Sequence, residues 1–170
     1  MRSTSPPKVS VCLDSFNYGC FLAEAIESVL SQEFEDFELI VSDDCSTDDS
    51  FAIAQKYAGR DSRVKVLRSA ANLGMVRNRN LCLSHARGDY IKWLHADDFL
   101  CVNETLDQMT AALDANKAIS LVSSARQLVD EKSKKVGIWS CFNERRPLTG
   151  TSVIKRCLFE QRNLIADRAP

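Results

Sequence analysis

The chain has 170 residues, 45% hydrophobic and 26% charged, the balance of a soluble globular domain long enough to bury a core. Its formal net charge of −1 gives no basic field for nucleic acid or an anionic membrane surface. No apolar run approaches the roughly 20 residues that span a bilayer. Residues 1–7, polar and Pro-rich, lack the apolar core of a signal peptide and read as a disordered lead-in.

In chain order, residues 8–13 read as a strand apolar enough to be buried on both faces. A helix follows, carrying Phe21, Leu22, Ala25, Ile26, Val29 and Leu30 along one stripe. Residues 37–42 form a second strand. Ser46 or Thr47 is placed to cap a second helix, which turns Phe51, Ala54 and Tyr57 inward and ends near Gly59. A third strand covers 63–68, a turn lies at Asn72-Leu73-Gly74, and a helix runs from about Met75 to Ala86. Gly88 stops it before a fourth strand at 89–94. Asn103 is placed to cap a helix bearing Leu106, Met109 and Leu113. Strands are expected within 119–129 and 136–141, and an amphipathic helix from about Thr151. Regular strand–helix alternation through residue 115 predicts a parallel sheet with helices on both faces, in one domain spanning 8–170.

The seven cysteines are Cys12, Cys20, Cys45, Cys82, Cys101, Cys141 and Cys157, an odd number with no CxxC pair. Zinc ribbons and thioredoxin-like chemistry are thereby unsupported. Cys12 in a strand and Cys82 on a helix read as buried thiols, and the simplest compartment is the cytoplasm.

Two apolar strands end in adjacent carboxylates: Asp43-Asp44 after the second, and Asp97-Asp98 after the fourth. In an open parallel sheet, ligands bind outside the carboxyl ends of the strands. Crowded carboxylates repel unless a cation or a polar ligand offsets them. Asp48 and Asp49, by contrast, read as helix-start residues. With no GxGxxG or GxxxxGK[ST] loop, a nucleotide must be held otherwise. Asp44 can accept a hydrogen bond from a base imide, Phe16 can stack on the base, and Asp97 and Asp98 can hold a cation for a diphosphate.

On the helix after Gly74, Val76, Asn80 and Leu83 share one stripe, so Asn80 is expected to be a buried amide tying the helix to a neighbouring loop. Arg77 and Arg79 point roughly oppositely, and at most one faces a site easily. His85 reads as a surface residue near a helix end, Trp93 as core, and His95 as strand-end packing or a metal ligand.

These pieces resemble family 2 glycosyltransferases. The resemblance rests on Val9-Ser-Val-Cys-Leu-Asp-Ser-Phe-Asn17, Ser28-Val-Leu-Ser-Gln32, Val41-Ser-Asp-Asp-Cys-Ser-Thr-Asp48, Asn72-Leu-Gly74, Arg79-Asn80, Gly88-Asp-Tyr-Ile91 and Ala96-Asp-Asp98, in that order. It covers residues 8–113. The family implies a Rossmann-like GT-A fold and inverting transfer from a nucleotide-diphospho-sugar. By this resemblance Asp14, Phe16, Asp44, Arg77 and Asp97 contact the donor, a UDP-sugar being favoured. Asp98, with Asp97, would ligate Mn²⁺ or Mg²⁺. Two departures stand out. His95 occupies a position where the family commonly has an acid, and the chain ends where an acceptor-binding half would begin. It is therefore expected to be a donor-binding portion, slow or silent in transfer, with an exposed apolar acceptor face inviting self-association. Asp130, Glu131, Glu144 and Asp167 match no base motif, and the sugar or lipid-linked acceptor is not named by the sequence. Two alternatives compete: a non-catalytic nucleotide-sugar-binding domain of the same fold, and a receiver-like domain. The second is disfavoured because no lysine closely follows Asp97-Asp98.

Overall fold

A computed structural model describes residues 5–130, 132–140 and 147–153, and the chain divides into two compact units, Met1–Thr110 and Ala111–Pro170. The first unit alternates β1 (Val9–Ser15), α1 (Gly19–Leu30), β2 (Phe37–Asp43), α2 (Ser50–Ala58), β3 (Val64–Arg68), α3 (Met75–Ser84) and β4 (Tyr90–His95), followed by the start of α4 (Thr105–Ala115). The four strands are all parallel, in the order β3-β2-β1-β4. This is the Rossmann-like arrangement of a GT-A fold.

The order fixes which helix covers which face. The links β1-α1-β2 and β2-α2-β3 step the same way, so right-handed crossovers put α1 and α2 on one face. The β3-α3-β4 link runs back past β1 and puts α3 on the other. The core follows this division. Val9, Val11, Leu13, Leu39 and Val41 pack with Leu22, Ala25, Ile26 and Val29 of α1, Ala54 of α2 and Leu106 of α4. The alternate strand residues Cys12 and Ile40 pack with Cys82 of α3, joined by the half-buried Leu67 and Trp93. Both thiols are buried as expected, and Cys82 donates to the Ile40 carbonyl at 3.4 Å.

Three local expectations are corrected. First, α2 begins at Ser50, so neither Ser46 nor Thr47 caps it. The Ser46 hydroxyl instead accepts the Asn17 N–H at 3.0 Å. Second, α4 begins at Thr105, two residues after Asn103. Third, Val76, Asn80 and Leu83 are exposed, and α3 buries Asn78 and Cys82. The amide that ties the helix down is Asn78. Its Nδ2 donates to the Ser42 carbonyl at 2.9 Å, and its Oδ1 accepts the Ser42 hydroxyl at 2.6 Å. Ser42 supplies both partners on β2, so the stripe carrying Asn78 and Cys82 is buried with its polar member satisfied.

The amino-terminal edge of the sheet is closed by Glu38. Its carboxylate accepts Ser10 Oγ at 2.7 Å, Lys65 Nζ at 2.6 Å and the Arg87 backbone N–H at 2.9 Å. Ser10 Oγ in turn accepts the Gly88 N–H at 2.8 Å. Gly88 sits so close to β1 that a Cβ there would lie 2.5 Å from the Ser10 nitrogen, which admits glycine alone.

In the second unit, β5 (Arg126–Val129) and β6 (Lys135–Trp139) form an antiparallel hairpin. Asp130 shapes its turn by accepting the Lys132 and Lys134 N–H groups at 2.9 and 3.0 Å. Residues 150–153 are helical where the last helix is expected, and the rest of that expectation lies outside the described residues. Among the described residues no helix is long and apolar enough to cross a membrane.

Candidate active site

The strand order reverses between β1 and β4, so the ligand crevice of such a sheet opens at their carboxyl ends. Asp14 and His95 are register partners there. His95 Nδ1 lies 2.9 Å from Asp14 Oδ1, and Arg79 Nε of α3 lies 3.3 Å from Asp14 Oδ2. Burial would raise the Asp14 carboxyl, but the hydrogen bond and charge of His95, then those of Arg79, outweigh it and hold Asp14 below the usual carboxylate range. Arg77, two residues earlier on α3, is exposed.

Next to this cluster, β2 delivers Asp43 and Asp44, both almost fully buried. Asp44 holds the turn before α3, its two oxygens accepting the Leu73 and Gly74 N–H groups at 2.7 and 2.9 Å. Gly74 has φ +80°, a backbone that suits glycine. Asp43 is different. Its Oδ2 accepts the Ser46 N–H at 3.2 Å and pairs with Arg68 Nε at 3.4 Å, while its buried Oδ1 meets no partner among the described residues. Ser15 Oγ and Ser69 Oγ, at the ends of β1 and just past β3, are orphaned as well. Arg68 is steadied over the Phe51 ring at 4.2 Å and donates to the Ser46 carbonyl at 3.2 Å.

The loop after β1 is fastened to the loop after β2. Asn17, in the left-handed region at φ 57°, accepts the Thr47 N–H at 2.8 Å. Tyr18 N–H reaches Ser50 Oγ at 3.1 Å, and Gly19 N–H reaches Asp48 Oδ2 at 2.9 Å. Asp48 also accepts the Ser50 N–H at 3.0 Å, so one carboxylate serves the starts of both α1 and α2. These bonds outweigh its slight burial and hold its carboxyl below the ordinary range. The loop so held presents Phe16, 42% exposed, at the same edge of the sheet.

Asp97 and Asp98 are exposed in the turn leaving β4, where the Asp98 N–H donates to the His95 carbonyl at 3.0 Å. Among the described residues no three His, Cys, Asp or Glu side chains gather as a metal cage. Two adjacent carboxylates nevertheless suit a hard cation that completes its shell with water and a ligand's phosphates. Of the late carboxylates, Asp130 is committed to the β5–β6 turn, while Glu131, Glu144 and Asp167 lie outside the described residues.

Sequence reasoning names Asp43 in a strand-end pair but gives it no role of its own, passes over Arg68 and ranks Arg79 no higher than Arg77. Asp43 could have been found from its place in a fully buried strand, where a charge demands a partner. The pairing of Arg79 with Asp14 joins residues 65 apart and leaves no local signal.

A parallel sheet with acidic strand ends converging on its switch point defines a Rossmann-like α/β domain whose ligand crevice lies at the carboxyl edge. The sequence matches Glycosyl transferase family 2 over residues 10–161, and the chain belongs to that family. It is 40% identical over 128 residues to the putative glycosyltransferase EpsE of Bacillus subtilis, covering 75% of this chain and 46% of that protein. It is 39% identical over 95 residues to a GalNAc(5)-diNAcBac-PP-undecaprenol beta-1,3-glucosyltransferase of Campylobacter jejuni, covering 55% of this chain and 31% of that one. The solved structure of S. aureus TarS 1-349 in complex with UDP-GlcNAc matches with a TM-score of 0.60 and 32% identity, covering 64% of this chain and 31% of that 1-349 chain. The chain thus spans less than half the length of these relatives.

Proposed function

We propose that the first unit binds a nucleoside-diphosphate sugar, UDP-linked by preference, as donor for inverting transfer to a sugar or lipid-linked acceptor. One observation carries this: the buried carboxylate pair Asp43-Asp44, with Asp43 Oδ1 unpartnered among the described residues, set beside the Arg68 guanidinium at the carboxyl edge of the sheet. Uracil offers an imide N–H between two carbonyl oxygens, and an acceptor next to a donor complements that edge. Asp44 contributes as well, because each of its oxygens keeps a lone pair beyond its backbone bond. Phe16 supplies the stacking face, and Asp14 and Arg79 line the crevice beyond, with Arg77 at its exposed rim. The TarS complex with UDP-GlcNAc supports the donor class.

Asp98, aided by Asp97, would hold Mn²⁺ or Mg²⁺. Bound there, the cation would neutralise charge on the departing diphosphate. The protein's own part is to fix the base, admit the diphosphate beside Arg79 and keep Asp14 ionised.

Titration calorimetry of UDP and CDP, with and without Mn²⁺, tests the reading. UDP should bind and CDP, which lacks the imide N–H, should not. Asp98→Asn should lose the metal-dependent part of UDP binding. Equal affinity for UDP and CDP, or undiminished metal-independent UDP binding by Asp98→Asn, refutes it. Acceptor-dependent consumption of the donor separates a transferase from a binding domain of the same fold.

A further inference from the structure

The His95 position, where an acid is common in the family, is filled by an imidazole in contact with Asp14 and Arg79. An ionised carboxylate can only accept, so the 2.9 Å contact to Asp14 Oδ1 is a hydrogen bond donated by Nδ1–H. Arg79 Nη2 lies 3.1 Å from Nδ1 and 3.1 Å from Nε2. Equal distances to both ring nitrogens place that nitrogen over the ring rather than on the lone pair of either. The guanidinium therefore rests on the imidazole while its Nε pairs with Asp14. The three side chains close a triangle across β1, β4 and α3. An acid at residue 95 would set a second negative charge directly across the register from Asp14, which is unfavourable.

We propose that His95 is a positioning residue: tethered to Asp14 and carrying Arg79 on its ring face, it fixes the direction in which that arginine meets the anionic part of the ligand. For its ligand the proposal rests on the donor reading above, and for its geometry it does not.

Two measurements separate these. In the first, Kd is measured for uridine and UDP with wild type, His95→Ala, Arg79→Met and the double variant. His95→Ala should weaken UDP about tenfold, leave uridine within about twofold, and add less than about twofold once Arg79 is Met. Parallel weakening of uridine, or a full His95→Ala effect in the Arg79→Met background, overturns the proposal. The second needs no nucleotide. In ¹⁵N imidazole spectra at a fixed pH of about 8, the chain's two histidines are told apart with His85→Gln. His95 should show the Nδ1–H tautomer and lose it in Asp14→Ala. An Nε2–H tautomer indifferent to Asp14→Ala overturns the proposal whatever the nucleotides do. If wild type binds neither uridine nor UDP, the donor reading fails and the spectra alone decide the positioning.

Discussion

The two edges of the same four-stranded sheet treat their buried polar groups in opposite ways. At the amino-terminal edge, Glu38 is surrounded by Ser10, Lys65 and Arg87, and both its oxygens are engaged. Burial would raise its carboxyl, but the bonds from Lys65, Ser10 and Arg87 outweigh it and hold it at about 2. At the carboxyl-terminal edge, Asp43 Oδ1, Ser15 Oγ and Ser69 Oγ are buried with no partner among the described residues. An orphaned buried polar group costs free energy of about 1–3 kcal/mol. One edge is thus built for stability, while the other carries a cost that a polar ligand would relieve.

The largest effect expected of breaking this contrast lies at Gly88. The new methyl group of Gly88→Ala would meet the backbone of Val9 and Ser10, which cannot step aside as a flexible side chain can. Overpacking of this kind costs about 3 kcal/mol or more, read as a lower urea midpoint at unchanged slope. Acid comes next. Because Glu38 falls from its ordinary 4.5 to about 2 on folding, its contribution is complete above pH 4.5 and is lost as pH drops from there through 2. The upper limit is about 3 kcal/mol, and the exposure of Lys65 and Arg87 makes the realised loss smaller. Glu38→Gln should flatten the acid limb of the stability curve. An unchanged limb would show that other carboxylates set it.

At the opposite edge the same kind of substitution should move binding rather than stability. Asp43→Asn should leave the urea midpoint within about 0.5 kcal/mol of wild type or raise it, since a charge with one orphaned oxygen is removed, while UDP binding falls by about 1–3 kcal/mol. Asp44→Ala should weaken UDP by a similar amount and also loosen the 72–74 turn, seen as faster amide exchange at Leu73 and Gly74. Equal loss of stability and binding in both variants would erase the distinction between the edges.

How far the sequence foretold this depended on whether a signal was local. Strand–helix alternation, the continuous apolar runs of β1 and β2, and the acidic pairs after β2 and β4 are all short-range patterns, and they located the sheet and its functional edge. What escaped depends on contacts between distant segments. Asn80 was expected inward because periodicity alone chose the stripe. Asn78 is inward because Ser42, 36 residues away, offers both a hydroxyl and a carbonyl. Asp48 read as a cap for its own helix and also serves α1, 29 residues back. Glu38 is legible in the sequence as a charge inside an apolar strand, which demands cations from elsewhere in the chain.

The smallest prediction is the sharpest, because β1 carries one serine near each edge. Ser10 and Ser15 share a strand, a residue type and near-complete burial. Ser10 donates to Glu38 and accepts the N–H groups of Arg87 and Gly88, so Ser10→Ala strands the Gly88 amide and takes one bond each from the Glu38 carboxylate and the Arg87 amide, which keep their bond to one another. That should cost about 1–2 kcal/mol. The hydroxyl of Ser15 has no partner among the described residues, so Ser15→Ala removes an unsatisfied group and leaves a void of only one oxygen atom. It should be neutral or stabilising, by about 0.5 kcal/mol at most. Urea melts of the two variants, run side by side at pH 7, give the difference directly. Equal destabilisation would mean that Ser15 is satisfied by something the protein binds tightly, such as an ordered water, and the carboxyl edge would then carry less cost than its geometry implies.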